Sequence, residues 1–186
     1  MIKTFINAWK IADLRKKMLF TGLIILIFRI GAAIPVPFII PGGLDATGLD
    51  YSGTFLQYLN MMTGEAFSMG TMFALSISPY INASIIIQLL TVAIPYLEKL
   101  SKEGEEGRKK ISKITRYTSV ALAALQSVAY YIYLRAQGAV VEQPDGGQYT
   151  GFAAVFMGIV VVCCLTAGAT LCMWLGELVT DKGIGN

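Results

Sequence analysis

The residue types that carry out covalent chemistry are scarce in this sequence, and where they occur they are not paired. There is no histidine, and the carboxylates fall in stretches that read as loops or in one broken apolar segment, so no acid–base pair stands inside a span. Cys163, Cys164 and Cys172 share a single apolar run without CxxC spacing, and read as small packing residues rather than metal ligands. No catalytic centre, cofactor or metal is expected, and the protein is not expected to be an enzyme. What the sequence offers instead is a stripe of stiff side chains, Ile77, Ile81 and Ile85, at intervals of four, with Ser84 and Gln88 beside them. Such β-branched groups suit a narrow apolar constriction that dewets and so blocks ions. Packing against another helix is the alternative use of the same stripe. Arg29 is the one ionisable residue deep in an apolar run, at a cost of about 2.5 to 3.5 kcal/mol if central. It is expected to snorkel outward, to meet free carbonyls near Pro35, or to pair with a group on another chain.

The elements that must position these residues are those of a membrane protein. The 186 residues are 55% hydrophobic and only 15% charged, against an apolar share of about 45 to 50% in soluble domains. Apolar runs approach the length of about 20 residues that crosses a hydrocarbon core. The first begins near Met18, too late and without the cleavage pattern of a removed signal peptide. Ahead of it, Ile2, Phe5, Ile6 and Trp9 recur at helical spacing with Lys3, Asn7 and Lys10 opposite, which predicts an interfacial amphipathic helix or, failing that, a simple basic flank.

Charge placement sets the topology. Residues 1–17 and 96–116 are basic; the latter hold Lys99, Lys102, Arg108, Lys109, Lys110, Lys113 and Arg116, so both are expected in the cytoplasm. The external loops are expected at 37–59, without lysine or arginine in 38–59, and at 136–150, with the turn signal Pro144, Asp145, Gly146 and Gly147. An even number of crossings must separate the two cytoplasmic segments, yet three apolar candidates lie between them. The one that fails to cross is 60–75, where Asn60, Thr63, Gly64, Glu65, Ser68, Gly70 and Thr71 interrupt the apolar residues. It is read as a re-entrant half-helix, a form tolerated only where protein or a water-filled cavity surrounds it. The crossings are then 18–36, broken by Pro35 and Pro37, 76–95, opened by Pro79, 117–135 and 151–175. Residues 176–186 return to the cytoplasm and end in a glycine-punctuated turn that leads nowhere, which suggests a truncated chain. The fold class is all-α, integral to the membrane, with four transmembrane helices and one half-helix. A secondary transporter with a discontinuous helix is the competing reading; it would want polar coupling groups at mid-membrane, where this chain has isoleucines.

The run from Phe73 to Leu90, FALSISPYINASIIIQLL, closely resembles the second-helix signature of the SecY family of protein-translocation channels. Phe28-Arg29-Ile30-Gly31 with Ile34-Pro35-Val36-Pro37 resembles the family's first span, 102–111 its first large cytoplasmic loop, and 174–186 the start of a further signature. One departure is Ser76, where the family usually has glycine. The resemblance implies the N-terminal part of a ten-helix inverted-repeat channel in the bacterial cytoplasmic (inner) membrane, working in the Sec pathway. It implies a plug comprising Asn60, Met61, Met62, Thr63, Gly64, Glu65, Ala66, Phe67, Ser68, Met69 and Gly70. It implies a pore ring containing Ile77 and Ile81, and a lateral gate containing Ser84, Ile85 and Gln88. Implied partners are SecE and SecG, SecA and the ribosome through loops beyond Asn186, signal sequences, translocating polypeptides and lipid, with no specific nucleic acid.

Overall fold

A computed structural model describes residues 11–46, 55–141, 147 and 149–183, and among them every regular element is a helix. The amphipathic segment 2–9, most of the turn signal at 144–147 and the last residues of the chain lie outside the described residues. Helix α1 is Ala12–Ala33, 22 residues. It starts earlier than the expected 18–36, because the basic flank Arg15, Lys16 and Lys17 is itself helix-forming. It ends ahead of Pro35, whose ring disfavours helical backbone at the residue before it. Only Ile24 and Gly31 of α1 are buried, whereas Leu19, Leu23, Ile25, Leu26 and Ile30 are exposed. So large an exposed apolar face would be an aggregation liability in water.

A one-turn helix α2, Gly43–Ala46, and helix α3, Phe55–Thr63, follow. The half-helix expected at 60–75 is thus helical only to Thr63; residues 64–77 run as consecutive turns, with one isolated bridge at Thr71. Left-handed backbone at Gly64 (φ 62°) and Glu65 (φ 68°) stops α3 there. Helix α4, Ser78–Ala93, carries Pro79 in its first turn and gives way at Ile94 to α5, Pro95–Lys102, which turns away by 100°. Proline at 95 again forces the break.

The basic segment 96–116 is not an irregular loop. It folds as α5, a short turn at Glu103 and Gly104, and the opening turns of α6, Glu105–Ala136, a single helix of 32 residues that continues through the expected third span. Its lysines, glutamates and arginines favour helix, and their charge reports the side of the membrane, not the backbone conformation. Gly107 lets the turn close, since a Cβ there would stand 1.7 Å from the Leu100 carbonyl oxygen. Helix α7, Phe152–Lys182, has 31 residues and runs past the expected boundary at 175. At 1.5 Å per residue α6 and α7 are each more than about 45 Å long, so either would protrude from a core of about 30 Å. Taken singly, α7 is the described helix long and apolar enough to cross a membrane; α4 and α5 pass only together, across their bend.

Helix α6 packs on both α4 and α7, and α1 packs on α7. Small residues of α6 at four-residue spacing, Thr115, Ser119, Ala123 and Ser127, are buried and permit the close approach. One apolar cluster joins Val36, Ile39, Leu44, Phe67, Tyr130, Leu134, Val161 and Leu165. A second joins Ile24, Phe73, Cys172 and Leu175.

Candidate functional site

Residues 60–77 mix buried and exposed positions, with Thr63, Ala66, Phe67, Ser68, Gly70, Thr71, Phe73 and Ala74 buried. The polar side chains that argued against a lipid-facing span are used to satisfy a backbone that makes no helix. Asn60 Oδ1 accepts from Ser68 N at 3.0 Å, Thr63 Oγ1 accepts from Phe67 N at 3.2 Å, Ser68 Oγ donates to Glu65 O and Thr71 Oγ1 donates to Ala66 O. Thr63, Ser68 and Thr71 are each buried, and among the described residues no buried side-chain polar atom lacks a partner. Unsatisfied, each such group would cost about 1 to 3 kcal/mol.

Neighbouring segments complete the hold. On one side the chain after α1 pairs with the end of this segment, Val36 N donating to Gly70 O and Met72 N to Ile34 O. On the other, Tyr130 of α6 donates its hydroxyl to Phe67 O at 2.5 Å while the two rings lie 4.9 Å apart. Phe73 stacks on Phe28 of α1 at 5.3 Å. Two glycines permit the close approach, Gly31 to a side chain and Gly168 to backbone. A Cβ on Gly31 would fall 2.2 Å from the Phe73 ring, and one on Gly168 of α7 would fall 2.0 Å from the Met72 carbonyl oxygen. Tyr130 and Gly168 were not singled out by sequence. Tyr130 is 63 residues from Phe67, and Gly168 sits inside a uniformly apolar run, so neither carries a local signal.

Arg29 is exposed, and its Nη1 would stand 3.5 Å from a Cβ on Gly64, at the C-terminal end of α3. It lines a cavity of about 460 Å³ with Gln57, Asn60, Met61, Gly64 and Glu65. The guanidinium thus lies beside the C-terminal end of α3, and Glu65 lines the same cavity.

The isoleucine stripe begins where the turns end. Pro79, Ala83 and Ile87 are the buried residues of α4, and they lie about half a helical turn from the stripe. Ile81 and Ile85 are 43% and 51% exposed, so this chain does not bury them against a neighbouring helix. Ser84 and Gln88 occupy the same free face, Gln88 Nε2 donating to Ser84 Oγ at 3.3 Å. Ile77 differs. It precedes α4, is half-buried, and borders a cavity of about 370 Å³ shared with α6 and α7. Of the proposed plug residues, Thr63, Ala66, Phe67, Ser68 and Gly70 are buried, whereas Met61, Met62, Gly64, Glu65 and Met69 are exposed. The three cysteines, free and all on α7, are not brought together with acids; among the described residues no group of three metal-ligating side chains converges.

Comparison with known proteins places this arrangement. The SecY family model matches residues 71–186. The protein translocase subunits SecY of Streptomyces galbus and Streptomyces coelicolor are each 45% identical over 188 residues, and that of Mycobacterium tuberculosis is 39% identical over 190. Each alignment covers 100% of this chain and 43% of the relative, so the chain spans less than half the length of the proteins it matches. A match over most of the chain to the family model, with identity of this order from end to end, means that the chain belongs to the SecY family.

Proposed function

We propose that this chain forms part of a protein-conducting channel that moves secretory polypeptides across the bacterial cytoplasmic membrane and releases membrane proteins into it. The relatives' printed name, protein translocase subunit, supports the reading, as does the basic character of the α5–α6 region that would mark the cytoplasmic side. In this reading α1, α4, α6 and α7 are the four crossings, the N-terminus is cytoplasmic, and residues 60–75 are the plug. SecE, SecG, SecA, the ribosome and signal sequences would be its partners. Ile77 and Ile81 belong to the pore ring, and Ser84, Ile85 and Gln88 to the lateral gate.

The observation that carries the proposal is the two-sidedness of α4. Its buried face rests on its own chain while Ile81 and Ile85 stay open, and the helix starts where the non-helical segment 64–77 ends. Bulky apolar side chains exclude water from a narrow gap and offer an ion nothing in exchange for its hydration. They bind an extended polypeptide only weakly, so it can pass. Glycine at both Ile77 and Ile81 in the full-length protein is expected to raise resting ion leak per channel in planar bilayers, with leucine nearly silent. Lower abundance with unchanged leak per channel would instead mean that the isoleucines only pack.

A further inference from the structure

Residues 72–77 join the plug segment to α4, and α7 meets them with two glycines eight positions apart, Gly168 and Gly176, which share a helix face. The two contacts differ in kind. At Gly168 an added Cβ would strike backbone, the Met72 carbonyl oxygen. At Gly176 its nearest neighbour would be Cδ1 of Ile77 at 3.1 Å, the tip of a side chain and not backbone. A methyl group there meets that tip, so Ile77 must give by a few tenths of an ångström; both residues line one cavity of about 370 Å³. That cavity is also lined by Tyr80, Ser112, Arg116, Glu177 and Asp181. Directly beside Gly176, Glu177 accepts from Arg116 Nε of α6 at 2.8 Å, with the Glu177 side chain only 20% exposed. The bridge ties this end of α7 to α6, the helix on which α4 also packs.

We propose that Gly176 is a positioning residue for the pore ring: it leaves the space in which Ile77 rests, and the Arg116–Glu177 bridge holds α7 at the distance that makes the space fit. The cytoplasmic end of α7 thereby sets how far Ile77 reaches toward the channel axis. A ring of stiff side chains seals only if every member reaches the centre, so displacing one opens a path for water before it alters the fold. This rests on the reading of Ile77 as a ring member.

The test is resting ion leak per channel from the full-length protein reconstituted into planar bilayers, for Gly176→Ala and Gly176→Val. Leak should rise from alanine to valine, reaching roughly tenfold for valine, within the range of overpacking effects. Combining either variant with Ile77→Val, which removes the Cδ1 atom that Gly176 meets, should bring leak back to that of Ile77→Val alone. Should the valine variant fail to insert, Gly176→Ala with its Ile77→Val partner carries the test. A fall in thermal stability with unchanged leak, or a leak that Ile77→Val does not rescue, overturns the positioning role. Ile77→Gly measured alongside separates the two readings. If it leaks while the Gly176 variants are silent, only the positioning role fails; if it is silent as well, the ring assignment fails with it.

Discussion

Residues 64–77 and helix α7 touch each other, yet they meet the same apolar surroundings by opposite means. Helix α7 satisfies its own backbone, and its threonines fold back on it: Thr166 Oγ1 donates to Val162 O and Thr170 Oγ1 to Thr166 O, both at 2.7 Å. Its burial comes from packing on α6 and α1. Segment 64–77 closes separate turns by its own backbone bonds, such as Met69 N to Glu65 O and Ala74 N to Thr71 O, but has no continuous ladder and relies also on side chains and neighbours: Asn60, Thr63, Tyr130, and the strand-like stretch after α1. A helix that loses one contact remains a helix. A run of turns that loses an external anchor has little left to define it, so the two regions should open at different free energies. That difference is what the proposed plug would require of itself and of the helix beside it.

The largest expected effect comes from driving the two regions apart. Gly168→Val places a side chain against the Met72 carbonyl, where the obstacle is backbone, and should cost about 3 kcal/mol or more. Gly22 of α1 is the control, since a Cβ there meets nothing within 4 Å; its valine variant should cost no more than about 1 kcal/mol, whichever way the β-branched propensity tells. Thermal unfolding of both variants in lipid nanodiscs measures the contrast. Equal melting temperatures would remove the contact on which the comparison rests.

A smaller and more selective effect is expected at Tyr130. Phenylalanine keeps the ring against Phe67 but removes the hydroxyl donor. The Phe67 carbonyl still accepts from Gly70 N at 3.3 Å, so it is not fully orphaned and the cost should lie near the lower end of the range, about 1 kcal/mol. Amide hydrogen exchange should quicken roughly fivefold in 64–71, by the conversion of that energy, with α7 unchanged. If α7 quickened equally, the segment and the helix would form a single cooperative unit, and the comparison would break.

Much of this was legible in the sequence because it depends on local rules. Pro35 and Pro79 mark a helix end and a helix start through steric restriction, and the polar residues within 60–75 read as a segment unfit for lipid. Of the stripe read from spacing, Ile81 and Ile85 lie exposed on α4, whereas Ile77 precedes the helix and is half-buried. The backbone differs from the sequence reading in two places, 96–116 being helical on both sides of a short turn and 60–75 helical only to Thr63, because charge and apolarity do not by themselves set backbone conformation. Glu105 to Arg116 is rich in helix formers whatever its charge, and left-handed backbone at Gly64 and Glu65 ends α3 whatever follows. The anchors Tyr130, Gly31 and Gly168 act between residues far apart in sequence, and no local pattern reports such a meeting.

The finest test concerns Ser76, the last residue before Ile77 and the position where the family usually has glycine. Its φ is 49°, a left-handed conformation in which a Cβ crowds the following carbonyl and costs roughly 1 to 2 kcal/mol. The turn is nonetheless closed, since Ser76 N donates to Phe73 O at 2.9 Å. Glycine would keep that bond and relieve the crowding, but it frees the unfolded chain by about 0.5 to 1 kcal/mol, so the net gain should be under about 1 kcal/mol. The gain falls on the arrangement with the segment seated, because that is the arrangement that needs φ to be positive. Ser76→Gly should therefore raise the melting temperature slightly and make spontaneous openings in planar bilayers rarer, by less than about fivefold. Ser76→Ala separates backbone from hydroxyl: it keeps the Cβ and its crowding, so it should leave opening frequency where serine has it. An alanine variant that moved as far as glycine would mean that the hydroxyl holds the hinge. A glycine variant that opened more often would mean that the junction is limited by stiffness, not by strain, and segment 64–77 would then resemble α7 more than its turns suggest.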